Sequence, residues 1–287
     1  MKRVSALKIL SFGEVLWDVY PKEKFIGGAP FNFSAHIARL GVEAFLLSAV
    51  GDDVLGKEPL REVERLGVRS DFVSVLSEKP TGSCLVTLDE NSVPSYNLLD
   101  DVAYDRINCD KITDDFDVLY FGTLALRGEY NRKSLQNLIS KRSFKEVFVD
   151  VNIRPPFYCD DTVRLCAQNA TIIKISDEEL PAVAGSLNIA YDDYKAFAKS
   201  LSAKYGNLKC IIITLGEKGA YAFDCENNGE YSVPAKRVEV VSTVGAGDSF
   251  SASFLHRFLE GEGIPDCLEH ATEIAALVVA SHAAISQ

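Results

Sequence analysis

The segment Ser242-Thr243-Val244-Gly245-Ala246-Gly247-Asp248-Ser249-Phe250 sets three residues with little or no side chain and one acid where a helical pattern begins at Ser249. Small residues let backbone N–H groups approach an anion, and a helix behind them adds the positive end of its dipole. Asp248 at that junction could take a proton from an attacking hydroxyl. Read from the residues alone, the segment is equally a tight strand-to-helix turn with Asp248 as a favourable first-turn carboxylate. Two better-known phosphate patterns fail. Gly51-Asp52-Asp53-Val54-Leu55-Gly56-Lys57-Glu58 has Walker-like glycine spacing, but Glu58 stands where a Ser or Thr hydroxyl would bind magnesium, and Asp52 and Asp53 would repel phosphate. A dinucleotide fingerprint starting at Gly245 would need glycine at position 250, which is Phe250.

The elements that must position these residues read as alternating strands and helices. Apolar runs at Ile9–Phe12, Phe45–Val50, Val118–Phe121, Val147–Val151, Thr171–Ile175 and Cys210–Leu215 alternate with helical periods at Pro30–Leu40, Arg132–Ser140 and Tyr191–Tyr205. This is the βαβ pattern of a mostly parallel sheet covered by helices on both faces. Val15–Ile26 and Gly82–Leu98 mix apolar and polar residues, predicting strands with one wet face that form a small sheet beside the main one. Ala220–Phe223 and Glu230–Val233 flank a turn-rich stretch and predict a hairpin. The expectation is one α/β domain over residues 1–287 with a small β-rich appendage from about 15–26 and 82–98.

Composition excludes several classes. The 287 residues are 47% hydrophobic and carry a net charge of −11, which suits a globular chain and disfavours a nucleic-acid surface. The longest apolar stretch, Ile274 to Ile285, is broken by Ser281 and His282, so no membrane span is expected. Met1-Lys2-Arg3 is followed by Lys8, Glu14 and Asp18 instead of an apolar export core. Seven cysteines without a Cys-x-x-Cys pair suit reduced thiols in a cytoplasmic setting, and four dispersed histidines give no zinc spacing.

Several motifs recur in order: Gly13-Glu14-Val15-Leu16-Trp17-Asp18, Gly27-Gly28-Ala29-Pro30-Phe31-Asn32, Gly51-Asp52-Asp53-Val54-Leu55-Gly56, Asp150-Val151-Asn152-Ile153-Arg154-Pro155, Ser176-Asp177-Glu178-Glu179, Thr214-Leu215-Gly216-Glu217-Lys218-Gly219 and the Gly-Ala-Gly-Asp segment. Together they resemble the ribokinase-like (pfkB) sugar kinases over nearly the whole chain. The first motif and the Asp-x-Asn-x-Arg-Pro run are most similar to bacterial fructokinases, with 2-keto-3-deoxygluconate kinases close behind. The resemblance implies a ribokinase-like α/β fold, ATP and magnesium as cofactors, and a small β-sheet lid that pairs subunits into a homodimer.

By that resemblance Asp248 is the base that deprotonates a sugar hydroxyl, and Gly245, Ala246 and Gly247 form the anion hole for the moving phosphoryl group. Asp18, Gly28 and Asn32 match sugar-contacting positions, and Arg154, just past a strand end, matches a sugar or phosphate contact. Thr214, Gly216 and Gly219 match the nucleotide site, and Glu179 matches the acid that holds magnesium through water. The residues themselves leave plainer readings open: Asn32 as a helix cap, Arg154 as a surface residue, Gly219 as an aid to the following strand, and Asp177 to Glu179 as first-turn acids.

The chain departs from the pattern at four places. Ser176 replaces the asparagine of the magnesium motif. Ser242 replaces an aspartate that helps bind a monovalent cation, which leaves potassium dependence open. Thr272 stands for an asparagine near adenine, and Ala283 for a common glycine. Three functions follow: an ATP-dependent fructokinase, a kinase for another small alcohol such as a keto-sugar acid or nucleoside, and a silent sugar-binding regulator. Tyr96 and Leu98 are candidate lid contacts.

Overall fold

A computed structural model describes residues 7–20, 23–88 and 94–281, with side chains of 86–88 and 94–96 outside the description. Its contacts divide the chain into two compact units, Met1–Phe116 with Ala125–Ser143, and Asp117–Leu124 with Phe144–Gln287.

In the first unit, β1 (Lys8–Phe12), β4 (Glu43–Gly51) and β5 (Arg69–Leu76) run parallel in the order β1-β4-β5. A separate sheet has the order β3-β2-β6-β7, from β2 (Leu16–Val19), β3 (Lys24–Gly27), β6 (Ser83–Leu88) and β7 (Pro94–Leu98). Each mixed-polarity stretch of the sequence therefore supplies two strands: β2 with β3 and β6 with β7 are antiparallel pairs. The helices here are α1 (Ala29–Arg39), α2 (Val54–Arg65) and α3 (Glu129–Lys141). Pro30 sits in the first turn of α1, where a missing N–H costs no helical bond.

In the second unit the strand order is β13-β12-β11-β10-β9-β8. β8 (Val118–Phe121), β9 (Glu146–Asp150), β10 (Ile172–Ser176) and β11 (Cys210–Thr214) are parallel. β12 (Ala220–Asp224) and β13 (Gly229–Val233) close the edge as the expected antiparallel hairpin. Ile172, Ile173, Ile175 and Ile211 to Ile213 are all at most 1% exposed, which is why these strands read as unbroken apolar runs. α4 (Asp160–Asn169), α5 (Leu180–Leu187), α6 (Tyr194–Lys204), α7 (Ala246–Leu259) and α8 (Ile264–Val279) complete the fold. The α/β class with mostly parallel strands and a small separate sheet is as expected. No disulfide joins the seven cysteines, and among the described residues no helix is long and apolar enough to cross a membrane.

Candidate active site

The α7 helix starts at Ala246, three residues before the apolar pattern announces it, so Asp248 lies in its first turn. The start is set by Gly245, whose φ of 80° is left-handed and would cost another residue about 1 kcal/mol. Ser242 prepares the turn, its hydroxyl accepting the Val244 N–H at 3.2 Å. Ala246 N–H reaches back to the Thr243 carbonyl at 3.3 Å, a long bond. Gly247 is exposed, and no described residue accepts its N–H. Asp248 is buried at 9% exposure. An open N–H and a buried acid in the first turn of a helix are the parts an anion site with a base needs.

The ends of β9 and β10 are stapled by Glu179. One carboxylate oxygen accepts the Ile153 N–H at 2.5 Å and the other accepts the Ser176 N–H at 2.7 Å. Burial pushes the Glu179 carboxyl above its usual range, helped by nearby Asp150 and opposed by the Ser176 N–H, Lys174 and the Ile153 N–H. The serine that replaces the motif asparagine thus holds Glu179 with its backbone, which any residue supplies. Each Glu179 oxygen retains a second acceptor direction for water. Among the described residues no three His, Cys, Asp or Glu cluster as a metal cage. This donor set fits a magnesium ion that would be held by Glu179 through its water shell.

Arg154 follows Ile153 in the same loop and is exposed. Thr214, at the end of β11, is level with Ser176, and its carbonyl accepts the Asp177 N–H at 2.9 Å. Gly216 has open space where a side chain would project. Gly219 differs: a Cβ there would lie 2.0 Å from the Val233 carbonyl oxygen, so this glycine permits the β12–β13 hairpin. Thr272 turns its hydroxyl onto its own helix, donating to the Leu268 carbonyl at 2.8 Å. Ala283 lies outside the described residues.

In the first unit, Asp18 on β2 is paired with Phe25 of β3, and its Oδ2 lies 2.6 Å from where a Cβ on Gly27 would be. Gly28, with φ of 110°, precedes α1 so closely under the Glu14 carbonyl that a Cβ would fall 2.5 Å from that oxygen. Asn32 donates its backbone N–H to Gly28 at 2.9 Å, and its side chain is buried at 5% exposure. Asn32 is therefore inside α1 and not its cap. Sequence reading missed Glu14 here: it is 4% exposed and accepts the Ala29 N–H at 3.2 Å, fixing the loop that carries Gly28. Its signal was an acid directly after Gly13 in an otherwise apolar run. Also missed was the buried pair of Lys174 and Asp150.

The model of the pfkB family carbohydrate kinases matches residues 7–287. The chain belongs to that family. It is 30% identical over 255 residues to the Pyrococcus horikoshii sugar kinase PH1459, covering 87% of this chain and 78% of that protein. The crystal structure of PH1459 superposes with a TM-score of 0.81, at 27% identity, over 97% of this chain and 93% of the other. A Solanum tuberosum fructokinase is 29% identical over 280 residues, covering 89% of this chain and 82% of the relative. A Vibrio cholerae fructokinase shares the fold at TM-score 0.84 and 22% identity, over 98% of this chain and 95% of that one. This family member has the ribokinase-like α/β fold and is a sugar kinase.

Proposed function

We propose that this sugar kinase is a fructokinase that transfers the γ-phosphoryl group of ATP to the 6-hydroxyl of fructose. The observation that carries the chemistry is the buried Asp248 in the first turn of α7, after left-handed Gly245 and an exposed, open Gly247 N–H. ATP as donor is supported by PH1459, which has been solved in complex with ATP. Fructose as acceptor is supported by the potato fructokinase and by a Rhizobium leguminosarum bv. trifolii fructokinase 28% identical over 268 residues, 86% of this chain and 78% of that protein.

In this reading Asp248 accepts the hydroxyl proton as the new P–O bond forms and the bond to ADP breaks. Gly245, Ala246 and Gly247 stabilise the moving charge, for which alignment and electrostatics matter more than proton transfer. Asp18, Gly28, Asn32 and Arg154 contact sugar, while Thr214, Gly216 and Gly219 line the nucleotide site, Gly219 by shaping the hairpin. Magnesium, when bound, neutralises phosphate charge, and Glu179 holds it through water. The small sheet acts as a lid in a cytoplasmic homodimer, for which exposed Phe25 (51%) and Leu85 (39%) supply apolar contacts; Leu98 is half-buried and the Tyr96 side chain lies outside the described residues.

The deciding experiment is sugar-dependent ADP release with ATP and magnesium over fructose, ribose, 2-keto-3-deoxygluconate and nucleosides, beside Asp248→Asn. Turnover on fructose that falls by about a hundredfold or more in the variant is expected. Turnover on another acceptor overturns the fructose assignment, and no turnover on any overturns the activity. Light scattering on the same sample expects a dimer, and a monomer overturns the lid pairing.

A further inference from the structure

Beneath the α7 turn runs a buried polar chain with no part in the roles assigned above. Lys174 is the one charged residue of β10, set among Ile172, Ile173 and Ile175. Its Nζ lies 2.6 Å from Asp150 Oδ2 at the end of β9, with side-chain exposures of 8% and 4%. The same carboxylate oxygen accepts a hydrogen bond from the Ser251 hydroxyl at 3.0 Å. Ser251 Oγ is also 2.9 Å from the Gly247 carbonyl, so a single hydroxyl proton serves the carboxylate and the second residue of α7 together. The Lys174 ammonium is 3.5 Å from the point that a Cβ on Gly247 would occupy.

Strand stability does not explain this arrangement. A buried ion pair loses hydration that its attraction only partly restores, and well-packed apolar residues in its place are often as stable or more so. Apolar neighbours surround Lys174 on its own strand, and a second carboxylate, half-buried Glu179, is near enough to act on the pair's charges. The chain ends on the Gly247 carbonyl, across the α-carbon from the Gly247 N–H that is the open donor of the turn. A group that holds that carbonyl restrains the glycine that carries the donor, and misplacement of a reacting group by about 1 Å can cost roughly a hundredfold in rate.

We propose that Lys174, clamped by Asp150 and Ser251, is a positioning residue that holds Gly247 and a fixed positive charge where the terminal phosphoryl group docks. This rests on the reading of the α7 start as the phosphate site. The consequence is selective: the clamp acts on the triphosphate end of the nucleotide and on turnover, leaving affinity for sugar alone.

The test compares wild type with Lys174→Met, Lys174→Met combined with Asp150→Asn, and Ser251→Ala. Three quantities are read: the unfolding midpoint, sugar turnover, and calorimetric affinity for the β,γ-imido analogue of ATP relative to ADP. Lys174→Met orphans a buried carboxylate and lowers the midpoint; the double variant removes both charges and regains it. Both are expected to lose about tenfold in kcat and in preference for the analogue over ADP, less than the roughly hundredfold of a lost direct oxyanion donor, with sugar KM unmoved. Ser251→Ala keeps the ion pair and loses less in the same two quantities. A double variant with wild-type turnover and wild-type analogue preference reduces the pair to a structural contact and overturns the proposal. If the charge variants fail to fold, an unchanged Ser251→Ala overturns it. A wild type without turnover whose analogue preference still falls in the variants refutes the fructokinase reading and leaves the clamp standing. Normal turnover with unaffected variants does the reverse, and a wild type that binds neither nucleotide overturns both.

Discussion

The indole N–H of Trp17 donates to the Leu55 carbonyl at 2.8 Å, and Leu55 is the residue whose helical partner would be Pro59. Proline has no N–H to offer position i−4, so a carbonyl inside α2 is left open. A side chain from β2, next to Asp18, fills the gap. The supposed helix breaker thus creates the acceptor that anchors the strand carrying a candidate sugar contact.

This coupling predicts a non-additive mutant cycle. Trp17→Phe removes the donor and should cost about 1–2 kcal/mol in chemical denaturation, partly through the exposed-side contact of Lys24, 4.2 Å above the ring. In a Pro59→Ala background the new backbone N–H satisfies Leu55, and the same change should cost less by about 1 kcal/mol. Strict additivity would refute the exchange of partners.

Gly27 and Asp18 supply a prediction about function. The Asp18 carboxylate oxygen occupies space that a methyl group at Gly27 would enter, the separation being 2.6 Å. Gly27→Ala should therefore displace the acid. The expected result is a fructose KM raised by about tenfold with ATP KM unchanged, the loss of one charged hydrogen bond to a hydroxyl. Equal increases in both constants, or no change, would remove Asp18 from the sugar site.

The residues most easily read in the sequence were those whose environment is uniform. Strands β8 to β11 are buried on both faces, and their apolar runs match the observed bounds within about one residue. Elements that mix roles were harder. α2 was missed because Pro59 and a run of charged residues disguise it, although Asp53 caps it through the Gly56 N–H at 2.7 Å. α7 was placed three residues late because its first turn is made of small residues that carry no hydrophobic period. The Lys174–Asp150–Ser251 chain joins three elements, with Asp150 and Ser251 101 positions apart, so no local spacing announces it. Family resemblance supplied roles for Asp248 and Glu179, whereas the staple that Glu179 makes between two strand ends is visible only in three dimensions.

Asp53 gives the fold a defined acid sensitivity. Burial alone would raise its carboxyl pKa, but hydrogen bonds from the Thr81 backbone and hydroxyl and from the Gly56 and Leu55 N–H groups outweigh that and lower it. The Thr81 hydroxyl oxygen in turn accepts the Gly51 N–H at 2.9 Å, so one ionised acid ties a strand end, a helix start and the segment entering β6. A carboxylate with a depressed folded-state pKa contributes stability above its unfolded pKa, and that contribution is lost as pH falls through the folded value. Asp53→Ala should cost about 1–2 kcal/mol near neutral pH, the scale of a lost helix cap with its partners. The gap between wild type and variant should then narrow as pH is lowered below about 4, where the unfolded carboxyl protonates. Urea melts at a series of pH values measure it directly. A gap that stays constant down to about pH 2 would mean that the protonated acid serves the three segments as well as the anion does, and that hydrogen-bond geometry, not charge, carries the cap.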